Sequence, residues 1–355
     1  MRKILLEHYK KYPKMQIQDY FKLIHQSEFG PGHLIKNKEE NFSRLCDEVS
    51  QLKNQFEESK IDYIGNGFVR LNLSVINRTP LTLHTVGRMF ELSALNDVGS
   101  SAGFFDRSRD LIELIGDKKI PLNLQDVESF IKNIEENPKR PWSHSEIYRA
   151  SYQPAYRVVA EKFAVFLDLF LAIDDLMEKK ENVLIAIDGD CASGKSTLAS
   201  LLQSVYGCNV LPMDDFFLQP HQRTPERLAM PGGNVDYERV EDVLKNIRDE
   251  RTDYIEYSPF NCQTMQLESP KLMSKNTLTI VEGSYSLHPE LREFYDLKVV
   301  LTISQDLQFD RILNRNGEFL FNKFKDVWIP MEKNYAKWAD IMTLSDLTFA
   351  DISCL

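Results

Sequence analysis

The stretch VLIAIDGDCASGKST, Val183 to Thr197, decides how the chain is organised. Val183 to Ile187 are all apolar and predict a short buried strand. Thr197-Leu198-Ala199-Ser200-Leu201-Leu202 predicts a helix start. Between them runs G-x-x-x-x-G-K-S: Gly189, Asp190, Cys191, Ala192, Ser193, Gly194, Lys195 and Ser196, closed by Thr197. Strand, glycine-bearing loop and helix in this order turn backbone N–H groups inward around phosphate oxygens, while the positive helix end faces the same anion. Lys195 adds a point charge for the β/γ-phosphates of ATP, and Ser196 offers a hydroxyl to Mg²⁺. Cys191 lies inside this cradle, so a thiol reagent reaching it is expected to block ATP.

Downstream of the loop, strands alternate with helices, the rhythm of an α/β domain built on a parallel sheet. The expected strands are Val183 to Ile187, Asn209 to Pro212, Tyr254 to Tyr257, Leu278 to Glu282 and Leu297 to Ile303. Expected helices span Ser196 to Tyr206, Tyr237 to Arg248, Asp306 to Asn314 with Asp306 as its cap, and Lys325 to Trp338. Ligands in such sheets bind beyond the carboxyl ends of the strands. Carboxylates fall at two strand ends there. Asp214 and Asp215 follow the second strand, and an extended backbone would point them to opposite sides, so that one reaches the site. Glu282 ends an apolar strand, where a carboxylate holds Mg²⁺ through water. A solvated strand-end acid is the alternative for each.

Gly189 to Thr197, then MDDFFL (Met213 to Leu218), PGGNVDYERV (Pro231 to Val240) and VEGSYSLHPEL (Val281 to Leu291), in that order and spacing, resemble the uridine kinase/phosphoribulokinase family of P-loop kinases. The resemblance is strongest to the bacterial uridine kinase-like branch and covers roughly residues 183–350. It implies that Asp214 is the general base for an acceptor hydroxyl, that Glu282 helps hold the metal, and that Asp236 contacts sugar hydroxyls. It also implies that Arg311 and Arg315, four residues apart on one helical face, serve the phosphates. Arg223 and Arg227 are further candidates for neutralising the transferring group. The chain departs from the pattern at Phe260-Asn261, where pyrimidine nucleoside kinases have Tyr-Asp, and at Arg315-Asn316, where Arg-Asp is usual. Phe260 thus stands at the acceptor-binding position without the hydroxyl, so the kinase chemistry is carried over more securely than uridine.

The first half reads differently. At 355 residues the chain has room for about two domains at roughly 150 residues each. The charged run Glu178-Lys179-Lys180-Glu181-Asn182 marks the boundary, giving a mostly helical domain over 1–180 and a P-loop kinase domain over 181–355. Helices are expected at Ile17 to Ile24, Glu39 to Ser59, Pro80 to Leu95, Ser108 to Ile115, Leu124 to Glu136 and Val158 to Lys180, with a strand at Phe68 to Val75. His25, His33, His84 and His144 show no H-x-x-x-H spacing and read as scattered residues rather than a metal site. Tyr148, Arg149, Tyr156 and Arg157 read equally as an anion site or as packing between domains.

The net charge of −10 argues against general nucleic-acid or anionic-membrane binding. Five widely spaced cysteines without a C-x-x-C pair point to a reducing cytoplasm. Neither a signal peptide nor a membrane segment is expected, and homo-oligomerisation is left open. The expected activity is transfer of the γ-phosphoryl group of ATP to a hydroxyl of a nucleoside-like small molecule. A pantothenate-type or other metabolite kinase is the alternative within enzymes, and a nucleotide-sensing regulatory protein the alternative outside them. Lys195, Ser196, Asp214 and Glu282 together favour catalysis, since a sensor needs no base.

Overall fold

The computed structural model describes residues 1–32, 37–52, 59–95, 99–134 and 137–352. His33 lies outside them. The chain forms two compact units that divide between Leu171 and Ala172. That point falls inside a helix, Leu167–Lys179, where the sequence sets the boundary just after the helix.

In the first unit α1 (Arg2–Lys11), α2 (Ile17–Phe29) and α3 (Lys38–Ser50) precede a hairpin of β1 (Ile61–Gly65) and β2 (Phe68–Asn72). Then come α4 (Leu83–Ala94), α5 (Ser101–Gly116), α6 (Leu124–Ile134), α7 (Glu146–Tyr152), β3 (Tyr156–Ala160) and α8 (Glu161–Val165). The three strands form an antiparallel sheet with β2 at its centre, every residue of β2 buried. Helix starts follow local chemistry: the side chains of Asn37, Thr82, Ser100 and Ser145 each accept an N–H of the turn they cap. Tyr20, Phe21, Ile24, Phe104 and Leu111 fill the core.

Two expectations are corrected in this unit. The strand beginning at Phe68 stops at Asn72, whose side chain accepts Ser74 N–H and starts a single 3-10 turn, Leu73–Val75. Val158 to Ala160, read as helix, belong to β3, because their backbone groups pair with β2.

After α9 (Leu167–Lys179), the second unit runs β4 (Val183–Gly189), α10 (Lys195–Tyr206), β5 (Asn209–Pro212), α11 (Pro225–Ala229) and α12 (Tyr237–Arg248). Then follow β6 (Tyr254–Tyr257), β7 (Phe260–Asn261), β8 (Gln266–Leu267), β9 (Lys271–Ser274), β10 (Leu278–Glu282) and β11 (Leu297–Thr302). The last elements are α13 (Gln305–Lys323), α14 (Ile329–Trp338), α15 (Ile341–Leu344) and β12 (Leu347–Ala350). A five-stranded parallel sheet has the order β12-β11-β4-β10-β5. The strands β4 and β10 are buried along their whole length, as their largely apolar sequences favour.

Three readings change here. The strand β6 does not join the parallel sheet; it pairs antiparallel with β9, consistent with its alternation of exposed and buried residues. The edge strand β12 was not anticipated. Ser304, not Asp306, is the N-cap of α13, and the helix continues past Asn314 to Lys323 with a break at Gly317.

Among the described residues no helix is long and apolar enough to cross a membrane. Ile280, fully buried in β10, is flanked by β4 and β5. Ile280→Ala is expected to lower the stability of the second unit by about 2–5 kcal/mol through the cavity it leaves, read from urea unfolding. Phe319→Ala, at a side chain 85 % exposed, is expected to change it by less than about 0.5 kcal/mol.

Candidate active site

The loop after β4 is held open by backbone geometry. Gly189 has φ 125°, and a Cβ there would lie 1.9 Å from the Leu301 carbonyl oxygen of β11, so only glycine lets the two strands stay paired. Gly194, at φ 106°, turns the chain into α10. Ala192 also takes a positive φ, 60°, and so does Tyr285, 76°, in the loop after β10. Backbone strain of this kind gathers where a loop must present groups to a ligand.

Asp188, one residue before the loop, pins these parts together. Its carboxylate accepts the N–H groups of Gly189 (2.6 Å), Tyr285 (3.2 Å) and Leu287 (2.8 Å) and the Tyr335 hydroxyl (2.8 Å). The Lys195 ammonium donates to the carbonyls of Gly189 and Asp190, both at 2.8 Å, and draws the loop into a ring.

A cleft of about 930 Å³ opens at the carboxyl ends of β4 and β10. Cys191, Ala192, Gly194, Lys195, Ser196 and Thr197 border it from the loop. Gly189, Asp190 and Ser193 instead shape the loop from behind. Asp190 Oδ2 accepts Ile303 N–H, and the Ser193 side chain is buried. Ser196 Oγ donates to Glu282 Oε2 at 3.1 Å. Burial raises the Glu282 carboxyl above the usual carboxylate range. Hydroxyl and carboxylate oxygens side by side are the donor set that Mg²⁺ accepts. Asp214 and Arg315 also face the cleft, as does Arg311, whose Nη1 donates to the Ala192 carbonyl at 3.0 Å.

The two adjacent acids are separated as expected, by a different route. Met213–Phe216 is a 3-10 turn rather than extended chain. Asp215 turns away to accept the Tyr257 hydroxyl (2.9 Å) and the Lys271 ammonium (3.0 Å). Asp214 is exposed at the cleft, and the protein around it, by displacing part of its water, raises its carboxyl against the pull of Lys195 and Arg315.

Several predicted substrate residues are not at the cleft. Asp236 is 1 % exposed and fully used: it caps α12 through Arg239 N–H, pairs with the Arg239 guanidinium and accepts Gln222. Its neighbour Asn234 lines the cleft instead. Phe260 is buried in the β7–β8 hairpin, and Asn261 closes that hairpin by accepting Gln263 and Thr264 N–H. Arg227 is spent on Glu238, Tyr237 and two carbonyls. Arg223 is exposed and does not border the cleft.

Glu332, from α14, escapes sequence reading because it lies far from every motif. One of its oxygens accepts the Cys191 amide of the loop at 2.9 Å, and the other accepts Ser284 Oγ at 2.8 Å. An acid therefore engages one of the N–H groups available to a phosphate. Burial and the Glu332 charge raise the Cys191 thiol, which counts against the reactivity expected of it. The cysteine open to reagents at this cleft is Cys262.

In the first unit the histidines have separate partners. His25 contacts the Lys139 carbonyl, His84 stacks on Phe42, and His144 bonds Asp19 and Tyr156. Among the described residues no cluster of three or more His, Cys, Asp or Glu side chains could hold a metal.

A phosphate loop between the central strand of a parallel sheet and a helix, acids at two strand ends and arginines on the helix beyond the sheet together define the architecture. The second unit has the fold of a P-loop nucleotide-binding domain. No protein-family model matches the chain. A candidate kinase of Invertebrate iridescent virus 3 is 29 % identical over 142 residues, covering 38 % of this chain and 71 % of the viral protein. Among solved structures, a "Possible Uridine Kinase" from Bacillus stearothermophilus is similar at 20 % identity and a TM-score of 0.36, over 51 % of this chain and 99 % of its own. Phosphoribulokinase from Rhodobacter spheroides is similar at 12 % identity and a TM-score of 0.35, over 48 % and 70 %.

Glu332→Ala is expected to tighten ATP binding about five- to tenfold, ~1 kcal/mol, by freeing the Cys191 amide and removing a negative charge. Isothermal titration reads this, and weaker binding would make Glu332 a support of the loop instead. Maleimide labelling of the native protein, mapped by peptide mass spectrometry, is expected at Cys262 while Cys191 and Cys208 remain unmodified.

Proposed function

We propose that the second unit transfers the γ-phosphoryl group of ATP to a hydroxyl of a nucleoside-like small molecule. The observation that carries this reading is Asp214: a carboxylate without a hydrogen-bond partner among the described residues, facing the same cleft as Lys195, Ser196, Glu282 and Arg311. A nucleotide-binding module without chemistry has no use for such a group. In this reading the loop amides and Lys195 hold the β/γ-phosphates, and Arg311 and Arg315 balance the charge of the transferring group. Asp214 accepts the proton of the acceptor hydroxyl and orients its oxygen for in-line attack. Ser196 and Glu282 would hold Mg²⁺, which when bound neutralises charge on the β- and γ-phosphates.

The acceptor side is walled by Phe217, Tyr285, Phe324 and Trp328 with Asn234 among them. Aromatic walls with one amide suit a flat, largely uncharged acceptor, which supports a nucleoside over a sugar phosphate. The Phe260-Asn261 hairpin, being committed to its own turn, lends uridine itself no support.

A coupled ADP-release screen over nucleosides, pantothenate-like vitamins and sugars tests the proposal, with turnover expected on a nucleoside and none on sugar phosphates. Turnover restricted to a vitamin would assign a different metabolite kinase. ATP binding without turnover on any hydroxyl would assign a sensor. Asp214→Asn is expected to lower kcat by 10²-fold or more while ATP affinity stays within about twofold. Because Asp214 must be ionised to act and its carboxyl is raised, kcat/KM is expected to fall on acidification at a pH above the ordinary carboxylate range of about 4. An acid limb at or below that value would remove Asp214 from the role.

A further inference from the structure

Behind the cleft, one side chain ties together three segments that are far apart in sequence. Arg239 lies in the first turn of α12 and does not border the cleft. Its Nε pairs with Asp236 Oδ2 at 3.0 Å, its Nη1 donates to the Ser258 carbonyl at 2.7 Å, and its Nη2 donates to the Asp215 carbonyl at 3.2 Å. The guanidinium also lies 5.1 Å from the centre of the Phe216 ring, which stacks on Tyr257 at 5.2 Å. A planar fork of donors serves acceptors in three directions at once, which an ammonium on a flexible stem does not.

Each acceptor belongs to a segment that carries a group of the cleft. Asp215 follows Asp214 in the 3-10 turn Met213–Phe216. Asp236 follows closely on Asn234, and Ser258 leads into the β7–β8 hairpin, whose turn brings Cys262 to the cleft. Backbone bonds join two of these segments directly: Asp236 N–H donates to the Phe216 carbonyl at 2.8 Å and Leu218 N–H to the Asn234 carbonyl at 3.3 Å. Asp236 is almost wholly buried, so its charge needs the counter-charge that Arg239 brings.

A single 3-10 turn has few hydrogen bonds of its own, and its orientation is set from outside. Here the outside grip falls on the residue next to Asp214. The Asp215 carboxylate is held by Tyr257 and Lys271, and the Asp215 carbonyl by Arg239. With that neighbour fixed at both side chain and backbone, the Asp214 side chain is left the direction of the cleft.

We propose that Arg239 is a positioning residue for Asp214, fixing the turn so that this carboxylate faces the acceptor and setting the turn against the Asn234 and Cys262 walls. The proposal rests on the reading of Asp214 as the base. In this arrangement Asp236, which the family motif puts on the substrate, is the anion that holds Arg239 in place.

The test uses the full chain with Arg239→Lys, which keeps a cation beside Asp236 but cannot reach all three acceptors. Arg239→Met strands the Asp236 charge and is expected to lower the thermal midpoint, so Arg239→Lys carries the argument if the Met variant does not fold. Hydrogen exchange followed by mass spectrometry needs no acceptor. In Arg239→Lys the amides of 213–218 are expected to exchange about tenfold faster, with those of 189–197 unchanged. With adenosine, guanosine, cytidine and uridine as acceptors, Arg239→Lys is expected to lower kcat about tenfold and leave KM for ATP within about twofold. Added to Asp214→Asn it is expected to cost less than about twofold more, because its effect runs through that carboxylate. Unchanged exchange at 213–218, or a full tenfold loss on top of Asp214→Asn, would overturn the positioning role and leave Asp214 as the base. Turnover that survives Asp214→Asn would overturn the base reading and the role of Arg239 with it.

Discussion

The carboxylate of Asp188 is the constraint on which the cleft at the phosphate loop depends. It lies in β4, at 1 % exposure, and takes four donors from three separate parts of the chain. Gly189 opens the phosphate loop, Tyr285 and Leu287 belong to the loop after β10, and Tyr335 comes from α14. Each donor is buried, and each would cost about 1–3 kcal/mol if left without an acceptor. Because the same three segments carry Lys195, Ser284 and Glu332, the positions of these groups are fixed relative to one another through a residue that never touches the cleft. A water molecule would satisfy one or two of these donors, not all four.

How much of this was legible follows the physics of each signal. Asn209–Pro212, Leu278–Glu282 and Tyr237–Arg248 are read from the sequence to the residue, because they are a short strand closed by a proline, a buried strand and a capped amphipathic helix, each with clear ends. Leu347–Ala350 was not read. As an edge strand it alternates half-buried and exposed residues between aspartates, and only its pairing with β11 defines it. Tyr254–Tyr257 was read as a strand but assigned to the wrong sheet, although its alternating burial is what separates a half-exposed hairpin from a core strand. Asp236 shows the reverse problem. A family motif suggested a ligand contact, while Asp followed by Tyr-Glu-Arg-Val is also a plain helix start, and in the fold the cap is what it provides.

The site divides the same way. The loop and the strand-end acids Asp214 and Glu282 are local patterns, and spacing alone places them together. Glu332, Trp328 and Asn234 reach the cleft only through tertiary packing, and nothing in their immediate sequence marks them. Arg70 is intermediate: Phe-Val-Arg-Leu-Asn looks like alternation with a solvent-facing arginine. It is buried because β2 is the middle strand of three and is covered on both faces, which one strand's sequence cannot announce.

Asp214 and Asp215 make the argument from environment most directly, since chemistry and position in the chain are almost shared. Asp215 is bonded to a phenol and an ammonium, so its negative charge is already spent on holding the β6–β9 hairpin against the 3-10 turn. Asp214, one residue earlier, has no such partner among the described residues and stays exposed at the cleft, where the surrounding protein raises its carboxyl while Lys195 and Arg315 keep some positive field. The first arrangement makes a good structural anion and a poor base. The second makes a carboxylate whose proton affinity has been moved towards that of the group it must serve. The turn that replaces an extended backbone at Met213–Phe216 is what allows two neighbouring acids to be sorted so cleanly. The proposal of Asp214 as the base in this cleft therefore rests on that turn as much as on the motif around it.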